Sequence, residues 1–289
     1  MPIECQIDPL RFADSWPSTD EGDIANMRKV NFVVLTHLLL LAFLSYGIAQ
    51  PHPVSGEKRT PILLELFTSE GCSSCPPADA FVEQLDASQP IPDAHLIVLS
   101  EHVDYFNHDG WTDPYSSSAI TSRQYAYAHS FKLKDAYTPQ IIVDGDEVLP
   151  IDNSQATREA FNRAAAAPMV PIRLGELSPD AKGNRPKMLH IDIDRNTSPK
   201  EAGVFVAVAL DHAASKVLAG ENEGKSLTHV AVLQSMTKVG ELKPGSSFNK
   251  DVALKLRASK PAKKFRVIVF LQESGQGKII GATEETTEQ

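Results

Sequence analysis

Hydrophobic and polar positions along the chain fall into two regimes that meet near residue 168. From residue 61 to 167, short apolar runs alternate with stretches whose apolar residues recur at helical spacing, the pattern of an α/β unit. Residues 62–67 predict a strand, residues 72–85 a helix with Phe81, Val82 and Leu85 on one face, and residues 94–100 a second strand. A polar aromatic loop over 102–115 leads into a helix over 117–131. Residues 141–143 then predict a strand, Asp144-Gly145-Asp146 a tight turn and residues 147–149 a short partner strand. Asn153 or Ser154 caps a last helix ending at 164–167. Past Val170 the helical spacing gives way to alternation. The sets Leu189, Ile191, Ile193; Val204, Val206, Val208, Leu210; Val252, Leu254, Leu256; and Phe265, Val267, Val269, Leu271 each line one face of a strand. Turn-forming clusters at 182–186, 220–224 and 243–247 punctuate them, and the pattern predicts a β-sandwich of about seven or eight strands.

Ahead of the first strand, Met27-Arg28-Lys29 precedes an apolar run over 30–44, and small residues Gly47 and Ala49 stand before Gln50. A basic start, an apolar core of this length and a small-residue exit read as a secretory signal over 27–49. Residues 1–26, polar and rich in Asp, read as an extension outside the folded protein, and 50–60 as a linker. The chain is thus expected to be exported, periplasmic or secreted, with membrane contact only through the signal segment if it stays uncleaved. The formal net charge of −9, with 28 basic and 37 acidic residues, argues against nucleic acid as a partner, because a polyanion needs a basic surface.

Export changes the meaning of the cysteines. Cys5 lies before the signal, so only Cys72 and Cys75 of the chain's 3 cysteines remain in an oxidising compartment. They are separated by Ser73 and Ser74 at a predicted helix start, close enough to close a small ring. Backbone N–H groups and the helix dipole there would favour a thiolate at Cys72, the attacking sulfur, with Cys75 resolving. Two other uses are open: a structural staple, or a soft-metal site for copper made of Cys72, Cys75 and His102. No second Cys-x-x-Cys accompanies the pair, which disfavours zinc.

Residues 65–79 (ELFTSEGCSSCPPAD) resemble a family of secreted bacterial thioredoxin-like proteins whose domain is catalogued as having unknown function. The likeness extends through His102-Val-Asp-Tyr105, Gly110-Trp-Thr-Asp-Pro114, Arg123-Gln-Tyr-Ala-Tyr127, residues 137–145 (YTPQIIVDG) and Gly220-Glu-Asn-Glu-Gly224. It departs from the family pattern at Glu101, where an apolar or aromatic residue is expected. The resemblance implies a thioredoxin-superfamily α/β fold over 61–168 followed by an all-β sandwich domain over 169–289. It also implies a cis-proline at Pro139 facing the cysteines, with Thr138 and the Ser73-Ser74 pair contacting a substrate chain.

Glu65, an acid within the first apolar strand, is the expected proton acceptor for Cys75, and Glu70 would oppose thiolate formation. The functional expectation is a thiol–disulfide oxidoreductase acting on protein or small-molecule thiols and disulfides, with no cofactor beyond the Cys72–Cys75 disulfide. The rivals are a copper-binding protein and an interaction protein without turnover.

Overall fold

The computed structural model describes residues 59–175, 177, 187–254 and 263–288. The signal and extension segments, Cys5 and the turn cluster at 182–186 lie outside the described residues. The first half follows the sequence closely. Strand β1 (Thr60–Thr68) leads through the Cys loop to helix α1 (Pro76–Ser88), strand β2 (Ala94–His102), helix α2 (Ser118–Ser130), the hairpin β3 (Gln140–Val143) and β4 (Glu147–Val148), and helix α3 (Ser154–Ala165). The side chains of Ser117 and Asn153 accept the N–H groups of Ile120 and Ala156, which fixes where α2 and α3 begin. Between β3 and β4, Asp144 and Gly145 both adopt positive φ, the geometry of the tight hairpin turn expected there.

The second half consists, among the described residues, of β5 (Ile172–Leu174), β6 (Lys187–Ile193), β7 (Ala202–Lys216), β8 (Ser226–Leu242), β9 (Phe248–Leu254), β10 (Lys264–Glu273) and β11 (Ile279–Glu288). These strands do not form a separate sandwich behind a thioredoxin-like domain, and the expected fold class is corrected here. The protein is mostly β-sheet. One mixed sheet of eight strands runs in the order β11-β10-β7-β8-β2-β1-β3-β4, and β5-β6-β9 form a small second sheet. Ser100 of β2 pairs in parallel with Val232 of β8, so strands from both halves share a sheet.

The packing explains why alternation alone misled. Strand β10 is buried along nearly its whole length, on both faces. On one face Ile268 and Phe270 join Ala207 and Ala209 of β7 in a core that also holds Leu63, Leu96, Phe161 and Ile142. On the other, Val267, Val269 and Leu271 pack with Val204, Val206, Leu189 and Ile191 over the three-stranded sheet. Each face of these strands therefore serves a different apolar layer. The continuous burial reads as one sheet sandwiched between two layers.

Side-chain alternation also sorts the chemistry of the first half. Glu65 and Phe67 of β1 share a face with Glu101 of β2, since β1 and β2 run parallel with Phe67 opposite Glu101. Thr68 and His102, also paired, point to the other face, where α1 lies.

Candidate functional site

The Cys loop links the end of β1 to the start of α1. Cys72 and Cys75 form a disulfide with their Cα atoms 5.4 Å apart. Both are buried, at 2% and 0% exposure, while Ser73 and Ser74 between them are exposed. The Ser74 hydroxyl lies 3.3 Å from the Cys72 sulfur. The Thr138–Pro139 peptide is cis. Gln140, the next residue, pairs with Phe67, so the structure brings Thr138 and Pro139 beside the end of β1 from which the Cys loop departs.

The helix start does not supply the donors expected of it. Pro76 and Pro77 open α1 and carry no N–H, and the first two N–H groups after them, from Ala78 and Asp79, both donate to the Cys75 carbonyl. The Ser73 N–H is taken as well, by the Glu221 carboxylate at 3.0 Å. Stabilisation of charge at Cys72 by free helix N–H groups is thus withdrawn.

Glu221 belongs to the turn between β7 and β8, which closes over the Cys loop. Its neighbour Asn222 is fully buried and donates through Nδ2 to the carbonyls of Glu70 and Cys72, both at 2.9 Å. Lys225 in turn donates to Asn222 Oδ1 at 2.9 Å. Gly220 and Gly224 frame the turn at φ of 79° and 80°, a backbone state that glycine adopts without strain. Sequence reasoning missed both contact residues. The available signal was the Gly220-Glu-Asn-Glu-Gly224 string, recognised as a motif but not as a neighbour of the cysteines.

Behind the disulfide lies a buried cluster of ionisable side chains. His229 of β8 sits 3.3 Å from Glu70 and 3.5 Å from Asp79. Burial alone would depress its pKa, but the two carboxylates outweigh burial and raise it to about 9. Asp79 also accepts the Thr68 hydroxyl at 3.2 Å, and Trp111 donates its indole N–H to Glu70 at 3.1 Å. His102 meets Asp113 through Nδ1 at 2.7 Å, and the same Asp113 oxygen accepts the Glu70 N–H at 2.8 Å. Burial of Asp113 works against its charge, yet its bonds to His102, Glu70 and Tyr115 hold its pKa below the ordinary carboxylate value. The rings of His102 and His229 meet edge to face at 4.6 Å. Asp113 and His229 stand at no telling sequence spacing, and only the fold brings them together.

His102 therefore lies in the cluster, with Nδ1 occupied by Asp113. Among the described residues no group of three or more His, Cys, Asp or Glu side chains is arranged to hold a metal ion.

Glu65 is placed elsewhere. Its carboxylate accepts Arg123 Nε at 2.6 Å and the Tyr127 hydroxyl, and Arg123 and Tyr127 both bond Gln272 of β10. Those partners stand on the α2 face of the sheet, away from the face that carries Thr68 and α1. Asp79, one helical turn beyond Cys75, is a buried carboxylate on the cysteine side, as is Glu70.

The chain belongs to the family described as "Protein of unknown function (DUF1223)", which matches residues 63–272 and so spans the Cys loop, the turn over it and the buried cluster. A crystal structure of a protein from Agrobacterium tumefaciens is similar, at 25% identity and a TM-score of 0.61, covering 78% of this chain and 94% of that one. A β-glucuronidase of Bacteroides uniformis matches 41% of this chain and 13% of its own at 15% identity and a TM-score of 0.19. A solution structure from Arabidopsis thaliana covers 42% of this chain and 78% of that one at 6% identity and a TM-score of 0.18. Neither of these last two likenesses extends to the architecture. A comparison with curated proteins finds no match.

Proposed function

We propose that this protein is an exported thiol–disulfide exchange protein that donates electrons from a Cys72/Cys75 dithiol to disulfides of proteins or small molecules. The observation that carries the reading is the Cys72–Cys75 disulfide at the head of α1, backed by the buried ionisable cluster. A bond closing so short a loop adds little by loop closure, and the large apolar core needs no staple.

The exchange balances as follows. The Cys72 thiolate attacks one sulfur of a substrate disulfide, forming a mixed disulfide and releasing the first substrate thiolate. Cys75 then loses its proton and attacks the Cys72 sulfur, releasing the second substrate thiolate and leaving the Cys72–Cys75 disulfide. Two electrons pass from the dithiol to the substrate. Asp79 is the proton acceptor in this reading, in place of Glu65, because it is buried one turn beyond Cys75. Ser73 and Ser74 form the exposed edge that a substrate meets, with Thr138 and Pro139 alongside.

The direction follows from charge. Glu70, Asp79 and Glu221 gather around the loop against the protonated imidazole of His229 and the ammonium of Lys225, and this excess of negative charge disfavours thiolates. Disfavouring the reduced pair makes it an electron donor. Equilibration of the protein in graded thiol–disulfide buffers, with free thiols counted by alkylation and mass spectrometry, tests this reading. A potential near or below that of glutathione, between about −230 and −300 mV, together with reduction of insulin disulfides that vanishes in Cys72→Ser, is the expected result. Insulin reduction equal in the wild type and Cys72→Ser overturns the proposal, as does a potential well below about −300 mV, which marks an inert structural bond.

A further inference from the structure

A cavity of about 660 Å³ opens on the α2 face of the main sheet, between α2, Phe205 of β7, Leu233 and Met236 of β8, and Gln276 in the turn between β10 and β11. Among the groups that line it is Glu101 of β2. Glu101 is fully buried, and its carboxyl oxygens meet no N–H or hydroxyl donor among the described residues; its side-chain hydrogen bond is to the Glu65 carboxylate, which Glu101 can make only while it carries a proton. The nearest cation is Arg123, whose Nε is 3.6 Å away, too long for a hydrogen bond. Arg123 spends its donors on Glu65, Gln272 and Tyr127. Gln276 Nε2, which lines the same cavity, is also buried without a partner.

The charges do not balance. Two carboxylates, Glu65 and Glu101, share one guanidinium, so one acid lacks a counter-ion. A buried carboxyl in that position must hold a proton or receive a cation, because an unpaired ion in an apolar surrounding is costly. Burial first, and then the neighbouring charge of Glu65, push the Glu101 pKa well above the ordinary range against the pull of Arg123. The remaining ionisable neighbours are Tyr127 on α2, bonded to Glu65, and Lys238 of β8 at the rim, paired with Glu241 at 2.5 Å. Neither supplies the missing positive charge.

We propose that this cavity binds a small organic cation, an alkylammonium or alkylguanidinium, whose charged head pairs with Glu101 and whose apolar body packs on Phe205, Leu233 and Met236. A hydrogen-bond acceptor on that body would meet Gln276 Nε2. The head enters already charged, and Glu101 releases its proton to solvent as the pair forms, so the ligand's positive charge replaces that of the proton and the buried site stays neutral overall. The site is independent of the disulfide chemistry, since Glu101 and His102 point to opposite faces of β2.

Calorimetric titration of the protein with n-butylammonium chloride near neutral pH, in two buffers of different ionisation enthalpy, tests the proposal. The expected result is saturable binding with about one proton released per ligand, and an affinity for uncharged 1-butanol lower by about tenfold or more. In Glu101→Gln, butylammonium binding should fall by about tenfold or more, with no proton release. Met236→Trp, which fills the cavity from its rim and leaves Glu101 intact, should abolish binding and serves as the second variant if Glu101→Gln does not fold. Absence of saturable butylammonium binding overturns the site, as does equal affinity for 1-butanol, or binding undiminished in both variants.

Discussion

Asn222 and Cys72 stand 150 residues apart in the chain, yet the Asn222 amide donates to the Cys72 carbonyl at 2.9 Å. The same NH₂ group reaches the Glu70 carbonyl at 2.9 Å, so one buried side chain satisfies two backbone acceptors of the Cys loop. The turn between β7 and β8 is thus a fixed wall of the candidate site.

Removing that wall should be measurable in both stability and access. Asn222→Ala leaves two carbonyls without their donor, a loss of about 1–3 kcal/mol. For a chain of this size that corresponds to a fall in Tm of roughly 2–12 °C. Alkylation of the reduced protein at Cys72 should quicken in the same variant, because the loop can then swing outward. An unchanged melting temperature with an unchanged alkylation rate would mean the turn merely rests on the loop.

His229 makes stability pH-dependent. A histidine whose folded pKa is raised to about 9 contributes stability that is fully present below its unfolded value near 6.5 and lost as pH rises through 9. The size of that contribution is on the order of 3 kcal/mol. Urea unfolding at several pH values between about 6 and 9.5 should show the decline, and His229→Gln should flatten it. A wild-type profile as flat as that of the variant would mean that Glu70 and Asp79 do not hold the imidazolium.

The first half of the fold was legible because its signals are local. Caps at Ser117 and Asn153, the Asp144-Gly145 turn and the apolar runs of β1 and β2 each act within a few residues, and the structure places these elements within a few positions of expectation. The second half defeated the reading because alternation tells which residues share a face and not which strand lies alongside. Nothing in residues 226–242 announces that β8 pairs with β2, over a hundred residues away, and that pairing turns an expected sandwich into an extension of the first sheet. The cysteines, Thr138 and Pro139 were singled out through their motifs, and the structure places them at neighbouring strand ends. Asn222 and Asp113 lie in strings that were singled out, but nothing local ties those strings to the cysteines; His229 carries no motif, and all three reach the site only through tertiary packing. Glu65 was chosen on sequence proximity to Cys72, but the pleat sends its side chain to the α2 face.

Arg123 should be among the most sensitive positions in the chain. Its guanidinium bonds Glu65, Gln272 and the Tyr127 hydroxyl, and lies near Glu101, in a setting that is almost wholly buried. Arg123→Met leaves the Glu65 charge without its cation, at a cost of about 3–5 kcal/mol. The double variant Arg123→Met, Glu65→Gln should recover much of the stability. Arg123→Lys should rescue only in part, since a single ammonium cannot reproduce the forked contacts. Denaturant unfolding of these four proteins and of the single variant Glu65→Gln checks this, and additive losses in the double variant would dissolve the proposed coupling.

The exchange mechanism makes its sharpest demand at Asp79. If Asp79 accepts the Cys75 proton, Asp79→Asn slows the resolving attack while leaving the first attack by Cys72 nearly unchanged. The mixed disulfide between Cys72 and substrate should then accumulate during insulin reduction, trapped by acid quench and seen by mass spectrometry. A general base contributes about 10²- to 10⁴-fold, so even the lower bound gives a visible build-up. Asp79 also accepts the Thr68 hydroxyl and faces His229, so the substitution acts on folding as well. The two steps separate the causes. Loss of a base slows the resolving attack by Cys75 and leaves the first attack by Cys72 at its wild-type rate, whereas a purely structural defect slows both attacks together. Glu65→Gln, on the far face of the sheet, should leave the resolving rate within about twofold of wild type. Accumulation of the mixed disulfide in Glu65→Gln and not in Asp79→Asn would return the proton to Glu65 and overturn the assignment made here.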